Sequence, residues 1–171
     1  SEKYFFDFKK DIQKELNFIN SDNYKDNIYY DVLKKTNSVA FCVRQNRFLE
    51  GKGKTNNVNK KKSEIFTDEQ INYINKSVIF IKEKVENPQF FLWSNDLDSV
   101  PINKFNFEFK KIDVSKIDKK LDKRVLSLYL LKSCKHYITT PSSFNWWGAW
   151  LSNNPNKIVI RPSGKNFSEH K

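Results

Sequence analysis

Two adjacent hydroxyls, Ser142 and Ser143, separate a strand-like run from a tryptophan-rich one in "HYITTPSSFNWWGAWL". At the start of a helix, backbone N–H groups have no intrahelical acceptor. Amides and small hydroxyls there form a receptor for phosphate, or else the serines act as plain N-caps. Arg44 closes another apolar run, "NSVAFCVR". A guanidinium at a strand end can grip a diphosphate through paired N–H donors without a metal, the alternative being a surface arginine with no ligand. A third polar stretch, Ser94-Asn95-Asp96, follows "QFFLW". Its short side chains can bond a base edge, or Asn95 or Asp96 can cap the next short helix. Asp96 and Asp98 also spell Asp-x-Asp, a pair able to hold a divalent cation. Eleven Asp in 171 residues supply about 0.7 such pairs by chance, so this match has little force.

Net charge is +11, from 31 basic and 20 acidic residues. That balance suits nucleic acid, anionic lipid or a phosphorylated small molecule. Lys, Asn and Ile dominate the chain, as A- and T-rich coding DNA would dictate, so a solvated surface is the simpler account. Arginine is the sharper clue, present only at Arg44, Arg47, Arg124 and Arg161. The cysteines, Cys42 and Cys134, lie in apolar surroundings and are expected to be buried and reduced, which points to the cytoplasm. With only His136 and His170 beside them, no zinc-ligand spacing can be assembled and no metal is expected. His136 could serve a hydrolase triad as base, but a place at a helix C-terminus is preferred. Trp146, Trp147 and Trp150 cover a broad apolar face, and core packing is preferred to ligand stacking. Gly148 would let their helix approach a neighbour closely.

The elements that must position these groups alternate. Phe5, Phe8, Ile12, Leu16 and Ile19 mark one face of a first helix. A strand is predicted over 37–44, then a mobile polar loop through "QNRFLEGKGKTNNVNKKKS". Ile71, Ile74, Val78, Ile81 and Val85 predict a second helix, with Thr67-Asp68-Glu69-Gln70 as its cap. Strands are predicted at 89–93 and across "KFNFEFKK", where Phe105, Phe107 and Phe109 alternate. A helix over about 119–133 presents Leu121, Val125, Leu128 and Leu131. Strand, helix and strand then follow in "HYITT", "SSFNWWGAWLSNN" and "KIVIR". The expected fold is α/β: a Rossmann-like, doubly wound parallel sheet, with ligands beyond the carboxyl ends of its strands. Residues 1–36 are expected to form a helical lead-in, and residues 37–171 the binding domain. No apolar run is long enough to span a membrane, and the amino terminus does not read as a signal peptide.

Taken together, these pieces resemble the α-1,2-fucosyltransferases of glycosyltransferase family 11. The specific part is "CKHYITTPSSFNWWGAWLSNNPNKIVIRP", similar to the family's Cys-Lys-His, strand, Ser-Ser-Phe-Ser-Trp-Trp-Gly-Ala-Trp-Leu and closing Pro-x-Lys strand. "FFLWSNDLDSV" is similar to its Phe-Ser-Asn/Asp-Asp segment. "SEKYF" resembles a segment shortly before the domain, so the chain is expected to start within a longer protein. The resemblance implies one lobe of a two-lobed GT-B enzyme that inverts the sugar anomer, needs no metal or other cofactor, and uses GDP-fucose. Arg44 would hold the diphosphate, with Ser142, Ser143 and Phe144 opposite. Ser94, Asn95 and Asp96 would lie near guanine. The family's His-x-Arg-Arg-x-Asp falls on Cys42-Val43-Arg44-Gln45-Asn46-Arg47, so only its first Arg survives, and Arg47 would extend the phosphate clamp. Ser127 stands where an Asp is usual, and the Gly-Asn-Gln segment of the other lobe is absent from these residues.

The expected partners are GDP-fucose or a related nucleotide sugar and a glycan acceptor, in bacterial glycan or O-antigen synthesis. Nucleic acid is not expected. The expected location is the cytoplasm, with peripheral association at the inner face of the membrane as an option. No residue is assigned as catalytic base. Two rival readings stand beside the transferase: a basic module for nucleic acid or an anionic surface, and a degenerate lobe that binds a sugar nucleotide without transfer.

Overall fold

A computed structural model describes residues 6–16, 18, 21–50, 57–117, 120–163 and 167. Five parallel strands form one sheet: β1 (Asn37–Val43), β2 (Pro88–Ser94), β3 (Lys110–Lys111), β4 (His136–Ile138) and β5 (Val159–Ile160). Their spatial order is β3-β2-β1-β4-β5. The chain builds outward from β1 and then crosses back to its other side, which puts the topological switch point between β1 and β4. β1 pairs with β2 along its whole length, from Asn37 opposite Pro88 to Val43 opposite Ser94. It pairs with β4 from Val39 opposite His136 to Phe41 opposite Ile138. Central strands covered on both faces read as unbroken apolar runs, and "VAFCV" and "FFLW" are such runs.

Strand periodicity divides the core into two layers. Val39, Phe41, Val43, Phe90 and Leu92 face α3 (Asn57–Lys84), which contributes Ile74, Val78 and Ile81. Ala40, Cys42, Phe91, Trp93 and Tyr137 face the opposite way. They meet Leu33 of α2 (Tyr30–Lys35), Leu126 and Leu130 of α4 (Lys123–Lys132), and Ala149 of α5 (Ser143–Leu151). Helices therefore cover both faces, as the alternating pattern predicts. α4 and α5 pack tightly because Gly148 has no side chain: a Cβ there would lie 2.4 Å from Leu131 Cδ2.

Several elements differ from expectation. α1 (Lys9–Glu15) buries none of its residues, and Phe8 and Leu16 of its predicted apolar face are exposed. Phe5 and Ile19 lie outside the described residues. What holds α1 is its edge, where Gln13 Nε2 donates to Trp150 O at 3.3 Å. The predicted loop ends early, because "NVNKKKS" forms the first turns of α3, a helix of 28 residues. Thr67-Asp68-Glu69-Gln70 is thus mid-helix and caps nothing. Thr67 and Gln70 are buried, and Gln70 reaches the backbone of Arg44.

"KFNFEFKK" is strand only at Lys110–Lys111. Phe105, Phe107 and Phe109 do share one side, each packing edge-on against Phe41 with ring centroids 5.3–5.5 Å away. The backbone there bonds to α3 instead of a strand: Asn75 donates to Lys104 O and accepts from Asn106 N–H. α4 begins at Lys123 because Asp122 accepts from the N–H groups of Arg124 and Val125. Its buried side carries Leu126, Tyr129 and Leu130, while Val125 faces solvent. His136 opens β4 and does not end a helix; its Nδ1 accepts from Ile158 N–H at 3.1 Å.

Candidate functional site

Beyond the carboxyl ends of β1 and β2 lies a cavity of about 470 Å³. Its floor is apolar, formed by Cys42, Val43 and Trp93 at the strand ends and by Val114. Three cations, Arg44, Lys123 and Arg124, line it without any carboxylate among its lining residues. Opposite Arg44 stand Ser142, Phe144 and Asn145 at the start of α5. The cavity sits at the switch point, and the N-termini of α4 and α5 both open onto it.

α5 is held there by a short relay. Asn145 Nδ2 donates to Thr140 Oγ1 at 2.7 Å, and Thr140 Oγ1 donates to Cys42 O at 3.1 Å. These bonds tie its first turn to the end of β1. Ser142 is the N-cap residue, yet its hydroxyl makes no capping bond. Its carbonyl accepts from Trp146 N–H at 3.2 Å, so the amides of Ser143, Phe144 and Asn145 precede the first intrahelical bond. An anion at this end would meet those amides and the positive end of the helix dipole.

Arg44 is positioned from the other side. Gln70 accepts its N–H at 2.9 Å and donates to its carbonyl at 3.0 Å, which fixes the backbone of this lining residue. Arg44 pairs with Glu50, an exposed carboxylate that does not line the cavity. The neighbouring loop is clamped by Asn95, whose Oδ1 accepts Gln45 N–H at 2.9 Å and whose Nδ2 donates to Gln45 O at 3.3 Å.

Five of the eight residues singled out in the sequence therefore line one cavity: Arg44, Ser94, Asn95, Ser142 and Phe144. Ser143, Asp96 and Arg47 do not line it. Ser143 follows Ser142 in the first turn of α5, and its side chain is exposed. Asp96 organises its own turn, accepting from Ser99 N–H and Ser99 Oγ. The Ser99 hydroxyl holds its carboxyl below the usual carboxylate range. The guanidinium of Arg47 lies over Phe48 and Phe66, 5.5 Å from the latter ring's centroid. Ser94 and Asn95 reach the cavity, but their side-chain polar groups also bond within the loops, Ser94 Oγ to Asp96 O and Asn95 to Gln45.

Lys123, Arg124, Ser127 and Asn145 complete the lining and were not predicted as site residues. Arg124 was distinguishable only as one of four arginines, and Ser127 as the residue replacing an acid. Arg124 bonds back to Asp122 at 2.9 Å, and Lys123 donates to Ile117 O at 2.6 Å. Cys42 and Cys134 are free and buried, and burial pushes both thiols up, so neither is a nucleophile at neutral pH. Among the described residues no cluster of His, Cys, Asp and Glu could hold a metal ion. No helix among them is long and apolar enough to cross a membrane.

The sheet order defines a Rossmann-like α/β protein with a cavity lined by three cations at its switch point. The chain belongs to glycosyl transferase family 11, whose model matches residues 1–170. It is 29% identical over 163 residues to an alpha-1,2-colitosyltransferase of Escherichia coli, covering 95% of this chain and 52% of that protein. Over 48 residues it is 38% identical to the O-antigen biosynthesis glycosyltransferase WbnK of Escherichia coli, covering 26% of this chain and 16% of that protein. The chain thus spans about half the length of the colitosyltransferase. No solved structure matches it.

Proposed function

We propose that this chain is the donor-binding lobe of a glycosyltransferase that moves a deoxyhexose from a guanosine-diphosphate sugar to a glycan hydroxyl, with inversion and without a metal. The observation that carries this reading is the single cavity shared by Arg44, Ser142 and Phe144. In such a transfer the acceptor oxygen attacks the anomeric carbon as its bond to the β-phosphate oxygen breaks. The acceptor proton passes to a base, and GDP departs as a polyanion. The lobe's task is to stabilise charge growing on the β-phosphate. Arg44 and the first-turn amides of α5 offer donors for that, and Lys123 and Arg124 add positive potential at the rim.

Fucose is the donor sugar implied by the family resemblance. Similarity to a protein named for colitose transfer makes that sugar the competing donor. The relative named for O-antigen synthesis favours a lipopolysaccharide glycan as acceptor. Action in the cytoplasm at the inner face of the membrane would suit such an acceptor.

Calorimetric titration with GDP, in EDTA and at moderate salt, tests the reading. Saturable binding that exceeds that of UDP supports it. A strict requirement for Mn²⁺ or Mg²⁺ would overturn the metal-free mechanism. Binding of oligonucleotide with a steep salt slope, but not of GDP, would favour the basic module instead. GDP binding with no transfer from GDP-fucose or other GDP-deoxyhexoses would identify a degenerate lobe.

A further inference from the structure

A second cavity, of about 290 Å³, lies on the α3 side of the same strand exits. The two cavities share one loop, whose Arg44 lines the first while Gln45 and Asn46 line the second. Their walls differ in kind. The first carries three cations and no acid. The second sets Lys60 and Lys104 against Glu64 and Asp68, with Lys104 Nζ 2.6 Å from Asp68 Oδ1. Balanced charge offers a polyanion nothing, whereas paired donors and acceptors suit a neutral polar molecule.

The floor of this cavity is hydroxyl and carboxamide. Ser63 and Thr67 are buried there, and Ser63 Oγ accepts from Phe48 N–H at 3.1 Å. Gln45 is 5% exposed. Its Oε1 accepts from Thr67 Oγ1 at 3.4 Å, but its Nε2 has no hydrogen-bond partner among the described residues. A buried amide donor left unmatched costs stability and calls for an explanation. A ligand acceptor in this cavity supplies one.

We propose that this second cavity binds one ring of a neutral saccharide, through the Gln45 carboxamide and the Glu64 and Asp68 carboxylates. A sugar hydroxyl both accepts and donates, so one ring can accept a hydrogen bond from the Gln45 Nε2–H and donate hydrogen bonds to the two carboxylates. The inference rests on the donor-binding reading, because a sugar site beside a nucleotide site on one shared loop fits an acceptor glycan. It places part of acceptor recognition on the same lobe as the donor.

The test is a lactose titration of the ¹⁵N-labelled protein followed by amide NMR, with GDP titrated separately. Lactose is expected to shift the Gln45 side-chain amide and the backbone amides of 63–68 saturably. Glu64→Gln, at an exposed position, is expected to weaken lactose by about three- to tenfold and to leave GDP affinity unchanged. Gln45→Met is expected to weaken lactose similarly while melting no lower than the parent, since removing the unmatched Nε2 offsets the long 3.4 Å bond lost from Thr67 Oγ1. A purely structural Gln45 would instead lower the melting temperature and leave lactose binding alone. Lactose shifts that are absent at tens of millimolar, that map elsewhere, or that survive both substitutions overturn the proposal. GDP binding without lactose binding removes this site and leaves the donor reading standing. Lactose binding without GDP binding removes the donor reading.

Discussion

Truncating Arg44 is the perturbation whose outcome the geometry fixes most closely. Its backbone is held on both sides by Gln70, so Arg44→Ala removes the guanidinium without releasing the loop. A hydrogen bond to a charged group is worth about 1.5–3 kcal/mol, which predicts a loss of GDP affinity of about 10- to 150-fold. Glu50 works against that gain, because a ligand must displace it from the guanidinium. The two side chains are 34% and 51% exposed, so their pairing is worth at most about 1 kcal/mol. Glu50→Gln should therefore tighten GDP by up to about fivefold. In the Arg44→Ala background the same change should do nothing, since no cation remains to be released. Calorimetry on the four proteins completes the cycle. An Arg44→Ala affinity within about twofold of the parent would refute the reasoning. So would an equal Glu50→Gln effect in both backgrounds, which would mean that the carboxylate acts on the ligand without Arg44.

Three further outcomes follow. Gly148→Ala should destabilise the fold by about 1–3 kcal/mol, because its Cβ would come 2.4 Å from the buried Leu131 Cδ2; an unchanged denaturation midpoint would contradict that contact. Burial lowers the His136 pKa below its usual 6.5, with Lys135 adding to the effect. As pH falls the unfolded chain takes up the proton first, so His136's contribution to stability is full above pH 6.5 and declines below it. Melting temperatures between about pH 7.5 and about pH 5.5 should fall less for His136→Gln than for the parent, and parallel curves would exclude this role. Arg124→Ala should weaken GDP by no more than about fivefold and flatten its salt dependence, since this side chain lies at the exposed rim. A loss as large as that for Arg44→Ala would place a phosphate at α4 instead of α5.

The parts legible in the sequence are those where local pattern and fold agree. "VAFCV" and "FFLW" are apolar runs with room for no polar face, and both are central strands. The serine pair before the tryptophans marks the start of α5, and Gly148 its close approach to α4. α3 was harder, because Asn and Lys fill its first turns and its inward face there is Ser63, Phe66, Thr67 and Gln70. The three polar residues bury by bonding polar partners, and Phe66 alone gives no apolar period to read. "KFNFEFKK" misled in the opposite way: it carries a strand's alternation, but its backbone bonds to Asn75 of α3. In the site, Arg44 and Ser142 were visible because strand ends and helix starts are local features. Lys123, Arg124 and Ser127 join the cavity only because α4 crosses beside β1, a placement set by the sheet order. Spacing alone could not reveal that the Arg47 guanidinium would lie over the rings of Phe48 and Phe66.

A crystal structure of the protein with GDP would test the central claim most directly. The account predicts the diphosphate between the Arg44 guanidinium and the amides of Ser143, Phe144 and Asn145, at about 3 Å from both. A diphosphate bound to only one of these walls, or seated away from the carboxyl end of β1, would contradict it.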